Sequence, residues 1–398
     1  MRHRSYIEIV KTALRLGLTS FGGPVAHLGY FREEYVQRRK WIDERSYADL
    51  VALCQFLPGP ASSQVGIGIG YMRGGIPGAL LAWLGFTLPS AVALALFAFL
   101  CQGLDVGSSG WIHGLKLAAV AIVAQAVWGM GKNLAPDRGR ASIAIATCII
   151  ILLLNSALVQ VALIALAGII GTWVYREREA SAGPADATAA SGIPASHRKL
   201  AVGCLIAFFG LLALLPLLRS VYPSQWLAIF DSFYRSGSLV FGGGHVMLPL
   251  LEKEVVPSGW MSKEQFLAGY GATQAIPGPL STFASYLGFL IHGWGGAAVA
   301  TVAIFLPAFL LVMGALPFWE ELRRHPRVKG ALIAINASVV GILLAALYDP
   351  VWVSAIRTPG DFALALALFG ALIFWKLPAW VVVAAAACGG ALLSLAGL

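Results

Sequence analysis

Gln55-Phe-Leu-Pro-Gly-Pro60 and Gln274-Ala-Ile-Pro-Gly-Pro279 are two copies of one pattern, Gln-x-x-Pro-Gly-Pro. Each follows a smaller glycine cluster, Phe21-Gly22-Gly23-Pro24 in the first half and Phe241-Gly242-Gly243-Gly244 in the second. Breaks of this kind expose helix N-termini, whose unpaired N–H groups carry about half a positive charge. Glycine lets a ligand approach the backbone, and Pro24 and Pro60 are expected at the first helical position, where a missing N–H costs nothing. Ser62 and Ser63 fall in the first turn after Pro58-Gly59-Pro60, and Ser281 and Thr282 after Pro277-Gly278-Pro279. A lone break also serves as a kink for close helix packing. Four breaks with hydroxyls beside them can converge as donors around an oxyanion.

Arg15 and Arg235 are the charged residues that fit this chemistry. A charge at the centre of a membrane helix costs roughly 2.5–3.5 kcal/mol, and such residues serve function by default. Arg15, Leu18, Thr19 and Gly22 share one helical face, which aims the guanidinium toward the glycine tip; the other reading is an arginine reaching to the cytoplasmic surface. Lys11, Lys116 and Lys329 are read as such surface anchors. Gln55 and Gln274 lie one turn before each Pro-Gly-Pro. Their amides either donate to an oxyanion or satisfy the broken backbone. His27 and His245 follow the glycine tips out of register with each other and are read as packed polar residues ahead of proton-coupling groups. Asp349 and Asp361 are read as helix caps. No HExxH, GxSxG or P-loop pattern is present, so no enzyme constellation stands behind the chain. Five scattered cysteines show no metal-ligand or disulfide spacing, and no motif asks for a cofactor.

The elements that must hold these residues are short. Residues 5–21, 46–57 and 60–72 read as helices ending at Gly/Pro breaks or at Arg73-Gly-Gly, and 24–40 as one ending in Arg38-Arg39-Lys40. None reaches the ~20 apolar residues of a span, so each pair reads as a re-entrant hairpin. Spans follow at 77–101 and 112–131, then two short apolar runs in 141–175 broken near Asn155-Ser156. Residues 176–199 are a Ser/Ala/Gly/Pro-rich tether, and 200–218 form one connecting span. The pattern then restarts near 226, with spans at 296–317 and 330–348 and two runs split at Lys376-Leu-Pro. At an offset of 220, Arg15, Gly17, Phe21, Gly22 and Gly23 meet Arg235, Gly237, Phe241, Gly242 and Gly243. At 219, Trp41, Gln55, Pro58, Gly59, Pro60 and Ser62 meet Trp260, Gln274, Pro277, Gly278, Pro279 and Ser281. The expected organisation is a first membrane repeat at 1–175, a cytoplasmic linker at 176–199, a connecting helix at 200–218 and a second repeat at 219–398.

Composition sets the environment. The chain has 398 residues, 58% hydrophobic and 12% charged, with a mean hydropathy of +0.78. An ordinary soluble domain carries about 25% charged residues, so this is a multi-pass, all-α membrane protein. The net charge of +9 belongs to basic cytoplasmic loops, with no nucleic-acid partner implied. No cleaved signal peptide is expected, and most of the tryptophans fall near span ends. Loop 132–140 is basic while its repeat partner 349–361 carries two Asp and one Arg; loop 102–111 has no Lys or Arg while its partner 319–329 is rich in them. Equivalent loops therefore face opposite sides, and the halves are expected to be inverted repeats.

The doubled FGG-type break, the doubled Gln-x-x-Pro-Gly-Pro and the Leu-Pro pairs at 88–89 and 306–307 resemble the chromate ion transporter family in its long two-domain form. The resemblance covers the chain apart from 176–199. It implies export of chromate, a tetrahedral dianion, from the bacterial cell across the inner membrane by the proton-motive force, and so chromate resistance. Gly244 stands where the first half has Pro24, so the two tips need not bind equally. The residues themselves leave chromate and sulfate open, along with transport direction, a passive channel, a homodimer and a membrane enzyme acting on a lipid phosphate.

Overall fold

The computed structural model describes residues 2–21, 23–101, 110–154, 156–175, 198–241, 244–319 and 325–396. Linker residues 176–197 and the tip glycines Gly22, Gly242 and Gly243 lie outside them. Among the described residues every regular element is helical. Helix α1 (Arg2–Thr19) is followed by α2 (Gly23–Phe31), which runs on as a π-helical segment, Arg32–Arg38. Helix α3 (Glu44–Phe56) ends at the first Pro-Gly-Pro, and α4 (Ala61–Cys101) begins just after it. Helices α5 (Gly110–Leu134), α6 (Arg138–Leu153) and α7 (Ala157–Val174) complete the first half. Helix α8 (Arg198–Val221) connects to α9 (Gln225–Ser238), α10 (Met247–Val255), α11 (Lys263–Thr273), α12 (Phe283–Ala315), α13 (Pro326–Ala346), α14 (Pro359–Ile373) and α15 (Ala379–Ala396).

Local chemistry explains several boundaries. Ser262 and Gln265 close a reciprocal cap at the start of α11, as do Thr358 and Asp361 at α14, and Asp137 accepts from the Arg140 N–H at α6. Pro60 lies one position earlier than expected: its carbonyl accepts the first helical bond, from the Gln64 N–H at 3.0 Å. Pro24 is the second residue of α2.

Helix α4 is two antiparallel arms. Gly75 has φ 63° and ψ −154°, a conformation open essentially to glycine alone. Residues eight apart in a straight helix are about 12 Å apart, yet a methyl on Gly70 would sit 2.5 Å from the Gly78 carbonyl oxygen. The chain therefore doubles back, and 61–74 lies against 76–101. The second half does the same at Gly293 (φ 59°), with Gly288 against Gly296.

Among the described residues, five stretches are long and apolar enough to cross a membrane: Ala61–Cys101, Gly110–Leu134, Arg198–Val221, Leu280–Phe318 and Pro326–Ala355. Packing comes in matched pairs. Helix α1 lies on α4 and α9 on α12, while α4 and α12 meet each other. Helix α5 takes α14 and α15 from the other half, and α13 takes α6 and α7. The crossings use glycine. A methyl on Gly17 would meet the Phe86 carbonyl, and one on Gly237 the Ile304 carbonyl. Connecting helix α8 stays at the edge and leaves Ile206, Phe209 and Leu217 exposed, as a lipid-facing helix would.

Candidate functional site

The two Pro-Gly-Pro turns are held by the opposite halves. The Gly59 N–H donates to the Val240 carbonyl at 2.6 Å, and the Gly278 N–H donates to the Ser20 carbonyl at 2.9 Å. Ser20 and Val240 are the residues immediately before the two Phe-Gly-Gly clusters. Each turn of one half is thus fastened to the glycine break of the other. Gly59 and Gly278 have φ of 122° and 105°, so a side chain at either position would be strained. Within the first half, His27 Nδ1 meets Ser62 Oγ at 3.3 Å and ties α2 to the first turn of α4. In the second, the turn at Gly244–Val246 packs on the turn at Leu280–Thr282. All four breaks therefore gather in one place.

Polar side chains around these breaks are buried and short of partners. Among the described residues, Ser20 Oγ, His27 Nε2, Ser63 Oγ, Gln64 Oε1, Gln274 Nε2 and Ser281 Oγ have no hydrogen-bond partner. Buried polar groups are nearly always paired with protein, water or a ligand, so this cluster has hydrogen-bonding capacity to offer. Hydroxyls and an amide N–H are donors, and oriented donors in a low-dielectric setting suit an anion. Pro58 spends its carbonyl on Gln64 Nε2 at 2.8 Å, and Thr282 Oγ1 donates to the Pro279 carbonyl at 2.6 Å. Phe21 packs its ring 6.2 Å from Trp380, and Phe241 is half-buried against the Ile342 cluster. The two glutamines are not equivalent: Gln274 is buried, whereas Gln55 is exposed.

The arginines are engaged by carboxylates. Arg235 donates to Asp231 through Nε and Nη2, both at 3.1 Å, and through Nη2 to Glu254 at 2.9 Å. Arg15 lies 3.8 Å from Glu34, which also takes Arg39 at 2.7 Å and Arg38 at 3.4 Å. Arg15 is on the exposed face of α1 with Leu14 and Leu18. Sequence reasoning missed these partners, although the signal was present: Glu34 and Glu254 stand at the same offset of 220 as the arginines they bind.

Two further expectations are corrected. Lys116, read as a surface anchor, is 1% exposed, with Arg357, Glu264 and Asp361 around it. Of the two loop aspartates read as caps, Asp361 does cap α14 and also meets His113 Nε2 at 2.6 Å, but Asp349 pairs with Lys263 at 2.9 Å.

Comparison with known proteins adds independent findings. No solved structure matches the chain. A chromate transport protein of Pseudomonas aeruginosa is 29% identical over 97% of this chain and 91% of its own length. A chromate transport protein of Cupriavidus metallidurans is 28% identical over 96% and 92%. An uncharacterized transporter of Bacillus subtilis, YwrA, is 30% identical over 41% of this chain and 94% of its own length, so it corresponds to one half. The chromate transporter profile fits residues 7–172 and again 227–391. Matched twice, on either side of the linker and connecting helix, this multi-pass helical chain belongs to the chromate transporter family.

Proposed function

We propose that this chain exports chromate across the inner membrane, driven by the proton-motive force, and so confers chromate resistance. The observation that carries the reading is the pair of crossed hydrogen bonds, Gly59 to Val240 and Gly278 to Ser20, which gathers four breaks beside buried donors without partners. Backbone N–H groups, Ser63, Ser281 and Gln274 coordinate the tetrahedral dianion. Arg15 and Arg235 answer its charge by exchanging Glu34, or Asp231 and Glu254, for the anion. Relatives named as chromate transport proteins support chromate as the cargo.

The two halves act as inverted repeats, with α1–α2, α3 with the first arm of α4, and their copies as re-entrant hairpins. Supporting this, the ion pairs join segments that such a topology puts on one side. Arg73 with Glu8, and Arg32 with Glu44, fall among cytoplasmic ends. Lys263 with Asp349, Arg357 with Glu264, and Arg219 with Asp231 fall on the opposite side. Alternating access moves the halves about the shared centre.

Radiolabelled chromate flux into everted vesicles, with sulfate as competitor, tests the function. Energised chromate uptake that excess sulfate reduces is the expected result. No energised uptake by inserted, folded protein overturns export, and flux without dependence on a proton gradient makes the protein a channel.

A further inference from the structure

Between α7, α10 and α13 lies a cavity of about 30 Å³. That is room for about one water molecule, which needs polar partners to stay there. The cavity is lined by Gln160 from α7, Glu252 and Lys253 from α10, Ile342 from α13, and Asp349 from the turn that follows. Glu252 is 4% exposed and Gln160 is 2% exposed. Among the described residues, Glu252 Oε2 and Gln160 Oε1 have no hydrogen-bond partner. Both are acceptors. The Gln160 amide can turn its N–H2 toward a charged Glu252 or present Oε1 to a protonated one, so the pair accommodates a proton on the void.

The charged surroundings are balanced. Lys253 Nζ stands 3.8 Å from Glu252 Oε2, beyond hydrogen-bond reach. Helix α11 brings Lys263, which is held by Asp349 at 2.9 Å. Helix α9 brings Arg235, already bound by Asp231 and Glu254. Helices α7 and α13 add no charge to the cavity wall. Asp349 is one-third exposed and connects the cavity to the surface.

We propose that Glu252 and Gln160 form a proton-binding site that couples proton entry to anion export. The Glu252 carboxylate takes one proton, delivered by water from the Asp349 side, and becomes a neutral acid. Its new O–H donates to Gln160 Oε1, directly or through one water. Loss of the negative charge leaves Lys253 unbalanced and changes the field along α10. That helix follows the Gly244 break, so Glu252 sits about 12 Å along it from the anion site, at 1.5 Å per residue. The site has no copy in the first half: at an offset of 220 stands Arg32, exposed and paired with Glu44. One proton seat in a doubled scaffold gives the cycle a direction. This inference rests on the transport reading above and assigns the coupling ion its place.

The test uses the full-length protein in proteoliposomes. Two fluxes are compared: net chromate movement under an imposed pH gradient, and chromate-for-chromate exchange with no gradient. Wild type is expected to show both, with a trapped pH dye reporting proton movement during net flux. Glu252→Gln is expected to keep exchange within about twofold while net flux falls at least tenfold and the dye signal disappears. Unchanged net flux and dye signal in that variant overturn the site. So does loss of exchange by folded Glu252→Gln, which would put the residue in the anion path. Should the variant fail to insert, Gln160→Leu reads the same site. It removes the polar partner of the carboxyl in both protonation states, so the pH midpoint of net flux moves while exchange persists; an unmoved midpoint overturns the proposal. Infrared pH-difference spectra in detergent read the proton without any transport. A protonated-carboxyl band seen in wild type and lost in Glu252→Gln supports the site even where chromate is not carried, and an unchanged band rejects it.

Discussion

Arg15 and Arg235 occupy the same place in the two halves but not the same environment. The side chain of Arg15 is 54% exposed, and its partner Glu34 keeps Arg38 and Arg39 without it. An exposed pair of this sort contributes about 0–1 kcal/mol after solvent screening. Asp231 is 1% exposed and relies on Arg235 and Arg219. Removing one partner of a buried pair costs about 3–5 kcal/mol. Arg15→Ala is therefore expected to unfold at nearly the wild-type temperature, and Arg235→Ala well below it, as thermal melts in detergent would register. Chromate flux of Arg15→Ala is then the cleaner probe of the arginines. Uptake equal to wild type would make Arg15 an anchor and leave the anion to the backbone and hydroxyls.

Glu34 carries a pH signature as well. Burial pushes its carboxyl up, but Arg39, Arg15 and Arg38 more than reverse this and hold it below the usual carboxylate range. A depressed value in the fold means the stabilisation is present at neutral pH and is lost as pH falls through that value, below the usual carboxylate range. Amide protection in 23–38, taken as the exchange rate relative to the intrinsic rate at each pH, should fall between pH 7 and 3 in wild type and change little in Glu34→Gln. At this scale the sequence revealed types and spacing but not partners. Lys116 was misread because what surrounds it, Glu264, Arg357 and Asp361, lies on elements far along the chain.

At the scale of elements, the glycines separate into two kinds. Gly70, Gly78, Gly288 and Gly296 sit where two arms touch backbone to backbone, and Gly75 and Gly293 make the reversals. Gly203 and Gly210 on α8 face open space. Overpacking a close contact such as that of Gly288 costs about 1–3 kcal/mol, and a side chain at Gly293 meets open space but is strained by the positive φ. Gly288→Ala and Gly293→Ala should each lower the melting temperature by several degrees, while Gly203→Ala and Gly210→Ala leave it unchanged. Equal tolerance at all four positions would contradict the antiparallel arms. Most boundaries were legible, because apolar runs and Gly/Pro punctuation are local. The spans expected at 77–101, 112–131, 200–218 and 330–348 lie within or nearly within α4, α5, α8 and the stretch from α13 into its following turn. The differing exposure of Gln55 and Gln274 was not legible, since repeat spacing treats the two as equals.

For the whole molecule, charge decides orientation. Impermeant thiol labelling of single cysteines, in a background with the five native cysteines replaced, tests it. Lys263→Cys and Arg357→Cys should label in intact cells. Arg73→Cys and Arg138→Cys should label only in everted vesicles. Labelling of both groups from one side would refute the inverted arrangement. The repeat was readable at this scale because it is a property of order along the chain. The exchange of helices between halves, α5 with α14 and α15 and α13 with α6 and α7, was not, because it is a property of space.

The crossed hydrogen bonds from Gly59 and Gly278 act as a clasp at the centre of the protein. The halves cannot separate there without releasing both bonds at once. Motion that keeps them must leave the middle still and swing the ends, so the clasp is a fulcrum. In the proposed alternating-access cycle, opening the centre to one side then closes it to the other, like the two pans of a balance.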